Sequence, residues 1–197
     1  MDEKTTYQEL IQELKNPADP LFGGSLAYIQ IEESLAMTEK LLQIKLKKPS
    51  SFQNDYLSMI SVTSIVGKQS HEMIVEDGET FNKLRLAPTQ EEKDEVVKAL
   101  FPKSLAFLSN LDLLMTFLEK LCFYEKTSMQ YDYLMIRDSL WACYNNLIHI
   151  LKYEIKKMSE GEVKDGYNQK AEALLARESW LDKQLKENSN PSEDEKK

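Results

Sequence analysis

The sequence predicts an all-α protein, a single up-and-down bundle of about six or seven helices, several of them long. Two observations carry that expectation. Glycine and proline number only 6 each in 197 residues, too few for a turn-rich β fold. Apolar residues recur every three or four positions along stretches that no proline interrupts, the period of an amphipathic helix rather than a strand.

The first candidate helix opens on Thr6-Tyr-Gln-Glu9, which has the form of a capping box, and carries Tyr7, Leu10, Ile11 and Leu14 to Pro17. The second opens at Gly23-Gly-Ser25 and ends before Pro49. Its first half is apolar on most sides, as a buried helix is, except for Glu32 and Glu33. The two glycines permit backbone conformations closed to other residues, Ser25 can cap the amides that follow, and bare helix amides suit an anion.

From Asn54 to Ala87 a long helix presents Leu57, Ile60, Ser64, Gly67, His71, Ile74, Gly78 and Phe81 on one stripe. Gly67 and Gly78 imply either a close neighbour or a local break. Thr63, Ser70 and Asp77 fall seven apart on an adjacent polar strip, solvated or lining a cleft. Thr89-Gln-Glu-Glu92 is a second capping box. Pro102 then either kinks the helix or starts a new one, and Leu105, Leu108, Leu111, Leu114, Met115 and Leu118 continue as core.

The next helix spans about Ser128 to Met158. Its seam is Tyr133, Ile136, Leu140, Cys143, Leu147 and Ile150, and Asp132, Ser139, Ala142, Asn146 and His149 form a second face of small and polar residues. A last helix is expected from Asp165 to Leu185. Residues 1–186 form one domain on this reading, and 187–197, polar and without an aromatic residue, a disordered tail.

Composition narrows the function. A net charge of -8 opposes nucleic acid and anionic membranes. The amino terminus lacks a signal pattern and no apolar run approaches the roughly 20 residues of a membrane span, so a cytoplasmic protein is expected. Cys122 and Cys143 are too few for a disulfide framework and are read as reduced. His71 and His149 have no partner at metal-ligand spacing, so no metal is expected.

Three stretches, in order, resemble the cyclodeaminase/cyclohydrolase family of tetrahydrofolate enzymes. They are Leu21-Phe-Gly-Gly-Ser25 entering a buried helix, Glu76-Asp77-Gly-Glu-Thr-Phe81 followed by Glu91-Glu-Lys93, and Asn146-Leu-Ile-His-Ile-Leu151. The resemblance covers roughly residues 5 to 185. Phe22 replaces a family glycine, Ile150 replaces the second asparagine of the late motif, and Thr127-Ser-Met129 lacks the family's acid.

The resemblance implies a homodimer and a folate-type small molecule, a tetrahydrofolate derivative as substrate with no separate cofactor. The activity would be methenyltetrahydrofolate cyclohydrolase or formiminotetrahydrofolate cyclodeaminase. It implies Asp77 as general acid/base, Asn146 as a ligand to water or the pterin, and Gly23, Gly24 and Ser25 as the receptor of an anionic part such as a folate carboxylate. Two other readings stand beside it. One is a non-catalytic binding or scaffold protein that keeps the fold but has lost the folate site. The other is an unrelated partner-binding module, which requires Asp77 and Gly23 to lie far apart with no cleft joining them.

Overall fold

The computed structural model describes residues 23–124 and 129–189, together with Glu9, Gln12 and Lys15, which are helical. The remaining residues of the first expected helix, Phe22, and the Thr127-Ser128 position lie outside that set, as do 190–197 of the expected tail. The structure is all-α. Six helices follow Lys15 among the described residues: α1 Gly23–Leu46, α2 Gln53–Leu86, α3 Gln90–Tyr124, α4 Gln130–Ile155, α5 Glu162–Leu175 and α6 Trp180–Ser189.

The four long helices close a ring, with α1 against α2 and α4, and α3 against the same two; α5 leans on α4 and α6 on α3. The short links 47–52 and 87–89 make sequential neighbours antiparallel. Because α1 has a packed neighbour on each of two sides, Ala27, Tyr28, Ile29, Ile31 and Leu35 are all buried, which accounts for the apolar first half of its sequence. Leu108, Leu111, Leu114, Met115 and Leu118 of α3 and Tyr133, Ile136, Leu140, Cys143 and Leu147 of α4 meet in the middle as expected. Both cysteines are free and buried, and burial pushes each thiol up to about 11.

In α2 the buried face differs from the stripe read in the sequence. Leu57, Ser64 and His71 are exposed, whereas Tyr56, Met59, Thr63, Val66, Ser70 and Met73 are buried. The polar strip belongs to the core face because its hydroxyls are satisfied there: Thr63 donates to the Met59 carbonyl at 2.9 Å and Ser70 to the Tyr28 carbonyl of α1 at 2.9 Å. Buried hydroxyls with partners cost little, so period alone did not identify the inward side. Neither glycine breaks the helix, and a Cβ on Gly67 would make only an ordinary 3.7 Å contact with Leu35.

One boundary left open in the sequence is decided, and another differs. α3 runs through Pro102 without ending, and Thr89 caps its start by accepting the Glu92 amide at 3.2 Å. The single last helix is two, α5 and α6. Ser179 accepts the Asp182 amide at 3.2 Å, and the fully buried Glu119 of α3 accepts the Trp180 amide at 2.8 Å. Ser179 is a cap local to the chain, and a carboxylate from another helix completes this start.

Candidate functional site

At one end of the bundle the beginning of α1, the end of α2, the start of α3 and the end of α4 surround a cavity of about 600 Å³. Gly23 and Gly24 come from α1, Asp77, Phe81, Leu84 and Arg85 from α2, and Lys93 from α3. His149, Ile150, Tyr153 and Glu154 of α4, and Lys157 just beyond it, complete the wall.

Asp77 is seated on the N-terminus of α1. Its Oδ2 accepts the Ser25 amide at 2.9 Å and the Ser25 hydroxyl at 3.0 Å; that hydroxyl is also 3.2 Å from the Ile74 carbonyl. The seat explains Gly24. A Cβ there would overlap the carboxylate, only 2.5 Å from Asp77 Cγ. Neither Gly23 nor Gly24 has a positive φ, so close approach rather than left-handed backbone is what the turn needs. An anion, Asp77, thus stands at the Gly-Gly-Ser turn, and Gly23 and Gly24 also line the cavity. Ser25 does not cap the turn after it; it lies inside α1 and gives its amide and hydroxyl to Asp77.

Glu154 is the residue that sequence reasoning missed. It is 7% exposed, its carboxyl has no hydrogen-bond donor from Ser25 or any other described side chain, and it lines the cavity together with Asp77. Below the cavity the same two carboxyls border a small void with Tyr28, Met73, Leu100 and Leu108. Burial first, and the charge of Asp77 second, push the Glu154 carboxyl up to about 8. Burial raises Asp77 as well, but the two bonds from Ser25 pull it back toward ionisation. Burial thus raises both carboxyls at the inner end of the cavity, and only at Asp77 do hydrogen-bond donors oppose it. A legible signal existed: 154 is the position four residues after Ile150, where the seam of α4 would place another apolar side chain.

The outer rim has the opposite sign. Arg85 and Lys157 are exposed and Lys93 half-buried, with the Lys157 ammonium 4.5 Å above the Tyr153 ring. Apolar wall between the two poles comes from Phe81, Leu84, Ile150 and Tyr153. Asn146 does not join the site. The cavity takes in α4 only from His149 onward, and Asn146 is exposed a turn earlier. His149, which the sequence placed on the same polar face as Asn146 without giving it a role in the folate site, is in the wall. Asp77 and Gly23 share one cleft, the arrangement that the unrelated-module reading excluded. Among the described residues no cluster of three or more His, Cys, Asp or Glu side chains is placed to hold a metal, and no helix is long and apolar enough to cross a membrane.

No protein-family model matches the sequence, and no curated protein matches it either. The fold is similar to the crystal structure of formiminotetrahydrofolate cyclodeaminase from Thermotoga maritima, with a TM-score of 0.79, 16% identity, and 88% of this chain and 90% of that chain covered. Nearly the whole helical architecture is therefore shared, at an identity where shared architecture is all that the comparison establishes.

Proposed function

We propose that this chain binds a tetrahydrofolate derivative carrying a one-carbon unit between two nitrogens, and that Asp77 moves a proton at that carbon. Such chemistry opens a methenyl bridge with water or closes a formimino group with loss of ammonia, and both reactions pass through a tetrahedral carbon derived from an amidinium-like cation. A carboxylate beside that cation stabilises its charge and accepts a proton from the attacking group.

The observation that carries the reading is the polarity of the cavity: buried carboxyls at its inner end, apolar walls along its length, and Arg85, Lys93 and Lys157 at its rim. A ligand with a cationic head, a flat apolar middle and an anionic tail complements that order, and about 600 Å³ is within the usual size of a ligand site. The fold shared with a formiminotetrahydrofolate cyclodeaminase supports the same reading. The scaffold alternative, which keeps the fold but has lost the folate site, predicts that no folate binds in this cavity. A second copy of the chain in the cytoplasm is the partner that the reading implies, and the exposed Leu26 and Met37 of α1 and Met135 of α4 offer apolar surface for it.

The test is turnover of 5-formiminotetrahydrofolate and 5,10-methenyltetrahydrofolate by the purified chain, followed by absorbance above the spontaneous rate. Wild type should accelerate one of them, and Asp77→Asn should lower kcat by about 10²–10⁴-fold. Failure of wild type to accelerate or bind either compound refutes the proposal.

A further inference from the structure

We propose that Glu154 is the proton donor of this site, the protonated member of an unlike carboxyl pair whose ionised member is Asp77. The role rests on the folate reading above and commits it to the ammonia-releasing reaction.

The geometry carries the assignment. Glu154 and Asp77 come from different helices, α4 and α2, yet border the same two spaces, the main cavity and the void beneath it. Asp77 has hydrogen-bond donors from Ser25 that favour its ionised form against burial; the Glu154 side chain, which lines the same cavity, has no such donor. The ionisable groups around the pair are Tyr28 of α1, Arg85 of α2, Lys93 of α3, and His149, Tyr153 and Lys157 of the α4 segment. No ionisable side chain of α5 lines either space. The three cations sit at the rim, while Tyr28, buried on the inner side, is held neutral by its burial first and then by the charge of Asp77. Of the two carboxyls at the deep end, only Asp77 is stabilised as an anion by neighbouring donors.

Closing a formimino group needs a base and an acid together. N10 adds to the formiminium carbon, the C–N bond forms, the C=N electron pair moves to the terminal nitrogen, and the N10 proton passes to Asp77. The bond from carbon to that terminal nitrogen then breaks, driven by the N5 lone pair, as Glu154 protonates the departing nitrogen. Ammonia leaves and the methenyl cation remains. Asp77 is now protonated and Glu154 ionised, and return of the proton from Asp77 to Glu154 resets the pair with no exchange with solvent. Two ionised carboxylates would lack the acid, and two neutral ones the base.

Infrared difference spectra of the full chain in deuterated buffer, titrated from pH 5 to pH 10 in wild type, Glu154→Gln and Asp77→Asn, test the protonation of the pair. The expected result is a buried carboxylic-acid band in wild type that disappears with a midpoint near 8, is missing in Glu154→Gln, and shifts to lower pH in Asp77→Asn. Ammonia release from 5-formiminotetrahydrofolate tests the donor role. Glu154→Gln should lower kcat by about 10²–10⁴-fold with little change in KM and abolish the alkaline limb of the wild-type pH profile. A wild type without the band, a band that survives Glu154→Gln, or a Glu154→Gln enzyme with unchanged kcat and pH profile overturns the inference. A band that behaves as expected in a chain that turns over neither folate supports the unlike pair and refutes the folate reading instead.

Discussion

Replacing Gly24 by alanine is expected to destabilise this protein only while Asp77 is present. The φ at Gly24 is not positive, so alanine meets no backbone strain there. The added methyl instead overlaps the Asp77 carboxylate, which must leave the N-terminus of α1 and give up the bonds from the Ser25 amide and hydroxyl at 2.9 and 3.0 Å. Each bond involves a charged acceptor in a partly buried position and contributes roughly 1.5–3 kcal/mol. Allowing for partial hydration of the displaced carboxylate, the net loss is about 2–4 kcal/mol. For a chain of this size that lowers the midpoint of thermal unfolding by roughly 4–15 °C. In an Asp77→Ala background the obstacle is gone, and Gly24→Ala should be neutral or stabilising by up to about 1 kcal/mol, the helix preference of alanine. Thermal unfolding of wild type, both single variants and the double variant closes the cycle. An equal loss from Gly24→Ala in both backgrounds would refute the argument that the glycine exists to seat Asp77.

Stability should also depend on pH through Glu154. Its carboxyl is raised in the folded chain from an ordinary 4.5 to about 8, so the folded state holds a proton that the unfolded state gives up. The favourable contribution of the neutral acid is complete below 4.5 and lost as pH climbs toward 8, at roughly 1 kcal/mol per pH unit. Glu154→Gln removes that loss, and at pH 9 its unfolding midpoint should exceed that of wild type by on the order of 5–15 °C while the two converge near pH 4; equal midpoints across the range would refute it. Gly67→Ala should be tolerated or raise stability by about 0.5–1 kcal/mol, because its Cβ would meet Leu35 at an ordinary 3.7 Å. A loss of more than about 1 kcal/mol in denaturant unfolding would show that α1 and α2 pack more tightly there than the geometry indicates.

The helices themselves were legible because helical period and the scarcity of glycine and proline are local properties. Leu105 to Leu118 and Tyr133 to Leu147 repeat at a spacing that one buried face imposes, and capping at Thr89 needs only neighbouring residues. The inward face of α2 was misread for a definite reason. Thr63 and Ser70 look like surface residues until the Met59 and Tyr28 carbonyls are placed within reach of their hydroxyls, and the second of those lies on another helix. The start of α6 was hidden only in part, since Ser179 caps it locally while Glu119, which completes the cap, stands in the apolar run of α3.

The site divides along that line. The sequence by itself singled out the Gly-Gly-Ser turn and Asp77 as a pair of interest, on the order of short motifs along the chain. Only the tertiary structure decided that they touch, that Asn146 stands outside the cavity, and that Glu154 stands inside it. The physical reason is that chemistry at a buried carboxyl depends on what removes water from it and what donates to it. At Asp77 the donor is Ser25, 52 positions away, and at Glu154 the charge that raises the carboxyl is that of Asp77 on a different helix. A periodic pattern records which side of a helix is covered, but the identity of the covering atoms exists only once the helices have packed.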